Sequence, residues 1–157
     1  MKIDTSKTSV CSQMKGVYIL LAFLAKDTRL KTGALGEVHF KKGFYAYSGS
    51  AMGGLEQRIR RHLRKNKKLH WHIDYLLNHA EIKMIAIRKT DRKSDECAAA
   101  RRLLSLGGVP VDGFGSSDCS CNAHLLFFKT INNKSGCSSQ KGANDEDVPK
   151  INFRHCK

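Results

Sequence analysis

Nine apolar residues in a row, Val17–Ala25 (VYILLAFLA), constrain this chain more than any other stretch. Crossing a bilayer as a helix takes about 18 or more, so neither this run nor any other makes a membrane-spanning protein, and no membrane partner is expected. The run could pass for a signal-peptide core, but it begins late, and its continuation KDTRLKTG reads as a turn and a second strand. A buried strand is the better reading. With 157 residues, 41% of them hydrophobic, the chain can bury a core around that strand as one domain without staples.

The pattern on either side predicts an α/β domain with a small central, mainly antiparallel β-sheet flanked by helices. Gly16–Leu24 is the first strand, and Arg29–Gly36 (RLKTGALG) with Val38–Phe40 suggests short strands separated by turns. Phe44–Ser50 (FYAYSGS) alternates aromatic and small residues as a strand does, then meets the Gly53-Gly54 turn. Leu55, Ile59 and Leu63 place a narrow apolar stripe on a helix from about Leu55 to Lys65. Trp71–His79 reads as a short helix that buries Ile73, Leu76 and Leu77, and Glu81–Thr90 as a strand. A third helix follows, capped by Ser94 and running to about Leu106, with Glu96 on the face of Ala99, Ala100 and Leu103. After the glycine-rich Gly107–Asp118, His124–Lys129 is the last strand. Residues 1–14 read as a flexible arm, 15–130 as the domain, and 131–157 as a flexible polar tail.

Charge points to a polyanionic partner. Lys+Arg number 28 against 14 Asp+Glu, a formal charge of +14. Between Leu55 and His70, seven basic residues face one acid, which places +6 of that surplus in sixteen residues. Such a surplus ranks nucleic acid ahead of an anionic membrane, and nucleic acid, with DNA foremost, is the expected partner. On the helix, Arg58 and His62 fall on the inward side near Leu55, while Arg60, Arg61 and Arg64 point outward; Lys65, Lys67 and Lys68 extend the basic surface. His70 and His72, on either side of Trp71, join the expected nucleic-acid contacts.

Six cysteines, Cys11, Cys97, Cys119, Cys121, Cys137 and Cys156, are read as reduced thiols of an intracellular, cytoplasmic protein compatible with association with the nucleoid. Cys119-x-Cys121-x-x-His124 offers three soft metal ligands, without a recurring zinc spacing and without an obvious fourth.

Five polar residues sit where packing would favour apolar ones: Tyr18, Tyr47, Arg58, His62 and Glu96. Gly16-Val17-Tyr18 followed by Tyr47-Ser48-Gly49 resembles the two tripeptides that name the GIY-YIG endonuclease superfamily. Leu55-x-x-Arg58-x-x-x-His62 is similar to the helix that follows in those enzymes, and Glu96 within SDECAAARRLL resembles their single metal-binding glutamate. Gly43–Leu63, HWHIDYLL and GFGSSDCSCNAHL look like an archaeal and bacterial branch sometimes fused to endonuclease III-type glycosylases, which implies a setting in DNA repair. The resemblance covers about residues 15–128. Tyr18 and Tyr47 are 29 positions apart, wider than is usual there, which implies an elaborated hairpin that could line a substrate groove. A late active-site asparagine is common in the superfamily; here that region offers Asp112, Ser116, Ser117, Asp118 and Asn122.

The resemblance implies a metal-dependent endonuclease that hydrolyses phosphodiester bonds. Glu96 would hold one Mg²⁺ or Mn²⁺ that neutralises phosphorane charge and the leaving alkoxide. Arg58 would fork onto non-bridging oxygens. Tyr18 is the candidate general base, Tyr47 would orient water or phosphate, and His62 could relay the proton. Two rival readings stand beside it: a non-catalytic DNA- or RNA-binding module using the helix of residues 55–68, and a zinc-stabilised interaction domain built on Cys119, Cys121 and His124.

Overall fold

A computed structural model describes residues 14–131, so all of the expected arm but Met14, most of the tail, and Cys11, Cys137 and Cys156 lie outside the described residues. Met14 packs on the core, and its carbonyl accepts from the Leu55 N–H at 2.8 Å. The described chain runs β1 (Gly16–Leu24), β2 (Thr28–Lys31), a 3₁₀ turn (Gly33–Leu35), β3 (Glu37–Phe40), β4 (Gly43–Ala51), α1 (Leu55–Leu63), α2 (His72–Leu77), β5 (Glu81–Lys89), α3 (Asp95–Ser105), β6 (Val109–Pro110) and β7 (Leu125–Phe128). It is a mixed α/β fold, as the pattern predicts. Five strands pair in the order β5-β1-β4-β7-β6, every neighbouring pair antiparallel.

The apolar run is the second strand of this sheet, paired on both sides, which is why it carries no charged residue. Its alternate residues serve two layers. Tyr18, Leu20, Ala22 and Leu24 pack with Leu55 of α1, Ile73 and Leu76 of α2, and Phe114. Ile19 and Leu21 face the other way, toward the cluster of Leu103 from α3 with Ala46 and Leu126. Each fully buried leucine in these layers stabilises the fold by roughly 1.5–3 kcal/mol over an exposed one.

The long spacing between Tyr18 and Tyr47 is a hairpin with an insertion. Leu24 pairs with Gly43, and the intervening β2–β3 ribbon forms its own small sheet. That ribbon packs Leu30, Val38 and Phe40 on the core, so it supports the sheet and does not line the cleft described below. Pro110, which cannot donate to a ladder, sits in the two-residue edge strand β6.

Two helix ends differ from expectation. Ser94 is itself in helical conformation (φ −61°, ψ −16°) and makes no side-chain cap. The chain is already turning there, because the Asp95 and Glu96 N–H groups donate to the carbonyls of Arg92 and Lys93. Helix α1 stops at Leu63, with Arg64 extended (φ −74°, ψ 123°). The chain then doubles back so that the Lys67 ammonium donates to the carbonyls of Arg61 and His62 at the helix end, 3.0 and 3.2 Å away.

Candidate active site and a cysteine–histidine cluster

The pairing of β1 with β4 sets Tyr18 opposite Gly49. A Cβ at position 49 would lie 2.5 Å from the Tyr18 hydroxyl, so glycine makes the room that the phenol occupies. Gly16 is required in the same way by the Arg88 carbonyl, 2.5 Å from where its Cβ would be. The two tripeptides are thus one steric unit across a strand pair.

Beside that unit is a cleft of about 440 Å³, lined among others by Tyr47, Arg58, Trp71, His72, Glu96 and Asp118. Helix α1 supplies Arg58, whose guanidinium carbon lies 4.1 Å from the centre of the Trp71 ring, a cation–π contact that fixes where its fork points. Helix α3 supplies Glu96 from its first turn, 7% exposed. Among the described residues, its carboxylate has no hydrogen bond and no ion pair. A nearly buried, uncommitted carboxylate in a polar cleft fits a hard cation. Lys93, Ser117 and Asp118 also reach the cleft wall, the last with its carboxylate ion-paired to Lys93.

Next to the cleft, a second group of side chains converges. The thiols of Cys97, Cys119 and Cys121 and the imidazole of His124 place one ligand atom each within 4.8 Å of one another. Cys97, from the first turn of α3, is the fourth ligand that the sequence pattern did not reveal. The Cys97 and Cys119 sulfurs lie 3.6 and 3.3 Å from His124 Nε2. This Cys₃His group is a candidate metal centre of soft donors, chemically unlike the Glu96 cleft.

A family model, that of the domain of unknown function DUF123, matches residues 17–144. The chain belongs to the DUF123 family. No curated protein and no solved structure matches it. The match takes in all the cleft residues and the whole Cys₃His group.

In this DUF123 domain Tyr18 lies beneath the cleft and does not line it. It is 2% exposed, and its hydroxyl is 2.7 Å from His62 Nε2. Burial pushes the phenol well above its ordinary value, Tyr47 and Glu96 add to this, and Arg58 opposes it. Burial likewise raises the Tyr47 phenol, to about 12. Both are therefore neutral hydroxyls at pH 7, and Tyr47 is the one that faces the cleft. The sequence-based role of Tyr18 as general base meets this obstacle: nothing in the described residues favours its phenolate except Arg58.

Two residues of the expected nucleic-acid face are corrected. The Lys67 side chain is 2% exposed and pairs with Asp74 at 3.4 Å, so its charge belongs to the interior. Arg61 does not point away; it donates to Asp74 at 2.6 Å and lies 4.5 Å from the Trp71 ring centre. Both serve the buried carboxylate of Asp74. Arg60 is exposed but tied to Glu56 at 2.6 Å. Arg64, Lys65 and Lys68 are exposed, as is His70, which shares the cleft wall with His72. Asn122 donates to Asp112 at 2.8 Å and does not line the cleft.

His62 gives the DUF123 domain an acid-side liability. Burial and the charge of Lys67 lower its pKa from 6.5 to about 4, Asp74 opposing. Between those values the unfolded chain holds a proton that the folded chain refuses, so stability falls as pH falls through that window. A loss of about 3 kcal/mol is expected across it. Urea unfolding at pH 7 and pH 4.5 should show most of that loss, and His62→Gln should flatten it relative to the parent.

Proposed function

We propose that this protein is a metal-dependent endonuclease of the GIY-YIG type, acting on DNA. The observation that carries the reading is the convergence of Tyr47, Arg58 and Glu96 on one cleft, with the Tyr18–His62 pair directly beneath. Four separate elements, β1, β4, α1 and α3, supply these five residues.

Each side chain has a task that its surroundings permit. Arg58, held on Trp71, presents two parallel N–H donors to the non-bridging oxygens of a phosphodiester. Tyr47 keeps its proton at neutral pH and so donates to phosphate or water. Tyr18 and neutral His62 share one hydrogen bond, hydroxyl to Nε2, and the pair forms the floor of the cleft. Glu96 would hold Mg²⁺ or Mn²⁺, which when bound neutralises charge on the phosphorane and leaving oxygen and lowers the pKa of nearby hydroxyls and water. The exposed cations Arg64, Lys65 and Lys68 meet flanking phosphates.

Supercoiled, branched and single-stranded DNA incubated with and without Mg²⁺ test the reading. Cleavage that requires the metal supports it. Binding alone, with none of the three substrates cut, favours the non-catalytic rival. Affinity should fall steeply with salt, each neutralised phosphate on duplex DNA contributing about −0.9 to the log–log slope. Replacing Arg64, Lys65 and Lys68 together by Gln should flatten that slope by about 2–3, with the melting temperature unchanged. A parent slope near zero would exclude the nucleic-acid assignment.

A further inference from the structure

We infer that Cys97, Cys119, Cys121 and His124 form a structural zinc site that staples α3 to the loop beside the cleft. Four soft donors gather from two places in the chain, 22 or more residues apart, with every pair of ligand atoms within 4.8 Å. Around a tetrahedral zinc, with Zn–S near 2.3 Å and Zn–N near 2.0 Å, ligand atoms stand about 3.5–3.8 Å from one another. The 3.3 and 3.6 Å sulfur–nitrogen separations match that sphere before any metal is added. The donors also match in kind. Three thiolates and an imidazole suit zinc and exclude Mg²⁺ or Ca²⁺, which take oxygen ligands. A multi-iron cluster is excluded by size, since its ligands sit on separate irons and spread wider than those of a single ion.

The framework around the group is built to hold it. His124 is 1% exposed, its N–H donates to the Phe114 carbonyl, and its own carbonyl accepts from the Ser48 N–H of β4. Cys97 is fixed in the first turn of α3. Cys119 and Cys121 lie in the segment of residues 111–124, which has no strand or helix of its own. Irregular segments of that length inside a compact domain need something to hold them. Here a metal would do so, releasing three thiol protons to solvent as the thiolates bind. It would also tie together two parts of the cleft lining, α3 and the loop. Glu96 is the neighbour of Cys97, and Ser117 and Asp118 precede Cys119. Four ligands close the sphere, so the centre is structural and leaves no position for substrate or water.

The test is metal content, read without any reference to DNA cleavage. Full-length protein purified from zinc-supplemented culture under a thiol reductant should carry one equivalent of zinc, released on thiol modification. Cys97→Ser, Cys119→Ser, Cys121→Ser and His124→Ala should each lower it to less than about a tenth of an equivalent. Glu96→Gln should retain all of it. Stripping with a strong chelator should lower the melting temperature by about 10 °C or more. Should the serine and alanine variants not fold, His124→Cys keeps the proposal open to refutation. Co²⁺ added to stripped parent and to His124→Cys should give tetrahedral thiolate bands at one equivalent, shifted between the two by the change of one ligand. Folded, reduced protein with neither zinc nor cobalt bands overturns the site. So does an iron–sulfur chromophore, or a disulfide between Cys119 and Cys121 that persists in reductant.

Discussion

Glu96→Gln protein is expected to fold, to bind DNA, and to lose at least about 100-fold of its Mg²⁺-supported cleavage. The isosteric amide keeps the shape of the side chain but removes the charge that a hard cation needs. Glu96 is suited to this part because its carboxylate is nearly buried, in the cleft, and uncommitted to any neighbour among the described residues. Its other physical role is modest: a carboxylate in the first turn of α3 favours the helix dipole by roughly 0.3–1 kcal/mol. The stability cost should stay within that range, while plasmid nicking falls far outside it. DNA affinity without metal should hold or tighten slightly, since the substitution removes a negative charge from the cleft proposed to receive phosphate. Asp118→Asn is the companion control. That carboxylate is already paired with Lys93, so its loss should reduce cleavage much less. Full activity in well-folded Glu96→Gln protein would sink the single-metal mechanism and leave the basic surface of Arg64, Lys65 and Lys68 standing.

What the sequence made legible was set by local rules. The unbroken run of β1 follows from burial on both faces of a sheet, and the aromatic–small alternation of Phe44–Ser50 from side chains that take opposite faces in turn. Tyr18, Tyr47, Arg58, His62 and Glu96 were visible because polar side chains on inward faces stand out against a packing pattern. The misses have the opposite character. Cys97 gives no local sign of being a ligand, because its partners begin 22 positions later and meet it only when α3 folds beside the loop. Of the five residues offered in place of the late asparagine, which ones reach the cleft was not legible: Ser117 and Asp118 do, through a loop whose path depends on glycines at positive φ, Gly113 at 72° and Gly115 at 73°. Lys67 was misread because a run of cations looks alike whether it is solvated or folded inward. Only the stop of α1 at Leu63 decides which lysine turns back.

Asp74→Ala should destabilise the fold by about 3–5 kcal/mol, the largest stability effect expected from any single change considered for this protein. Asp74 has no exposed surface; its Oδ2 accepts three hydrogen bonds, from the N–H groups of His70 and Trp71, each at 3.0 Å, and from Arg61 at 2.6 Å, while its Oδ1 faces the Lys67 ammonium in an ion pair at 3.4 Å. Burial alone would raise its pKa, yet the two N–H bonds and the two cations outweigh it and hold the carboxylate below its usual range. Its contribution is therefore present above that range and lost as pH falls through the lowered value. Alanine would strand the Lys67 ammonium, at 2% exposure, without a counter-charge. It would also free the Trp71 backbone, and with it the ring on which Arg58 rests. Chemical denaturation measures the loss. Lys67→Met in the Asp74→Ala background should recover part of it, because removing both buried charges is less costly than stranding one. The same pair of variants separates interior from interface. If Lys67 met nucleic acid, Lys67→Met alone would weaken DNA binding and its salt dependence at little cost in stability. The buried pair requires the reverse: a less stable protein, with the log–log salt slope of binding unchanged once the protein is folded.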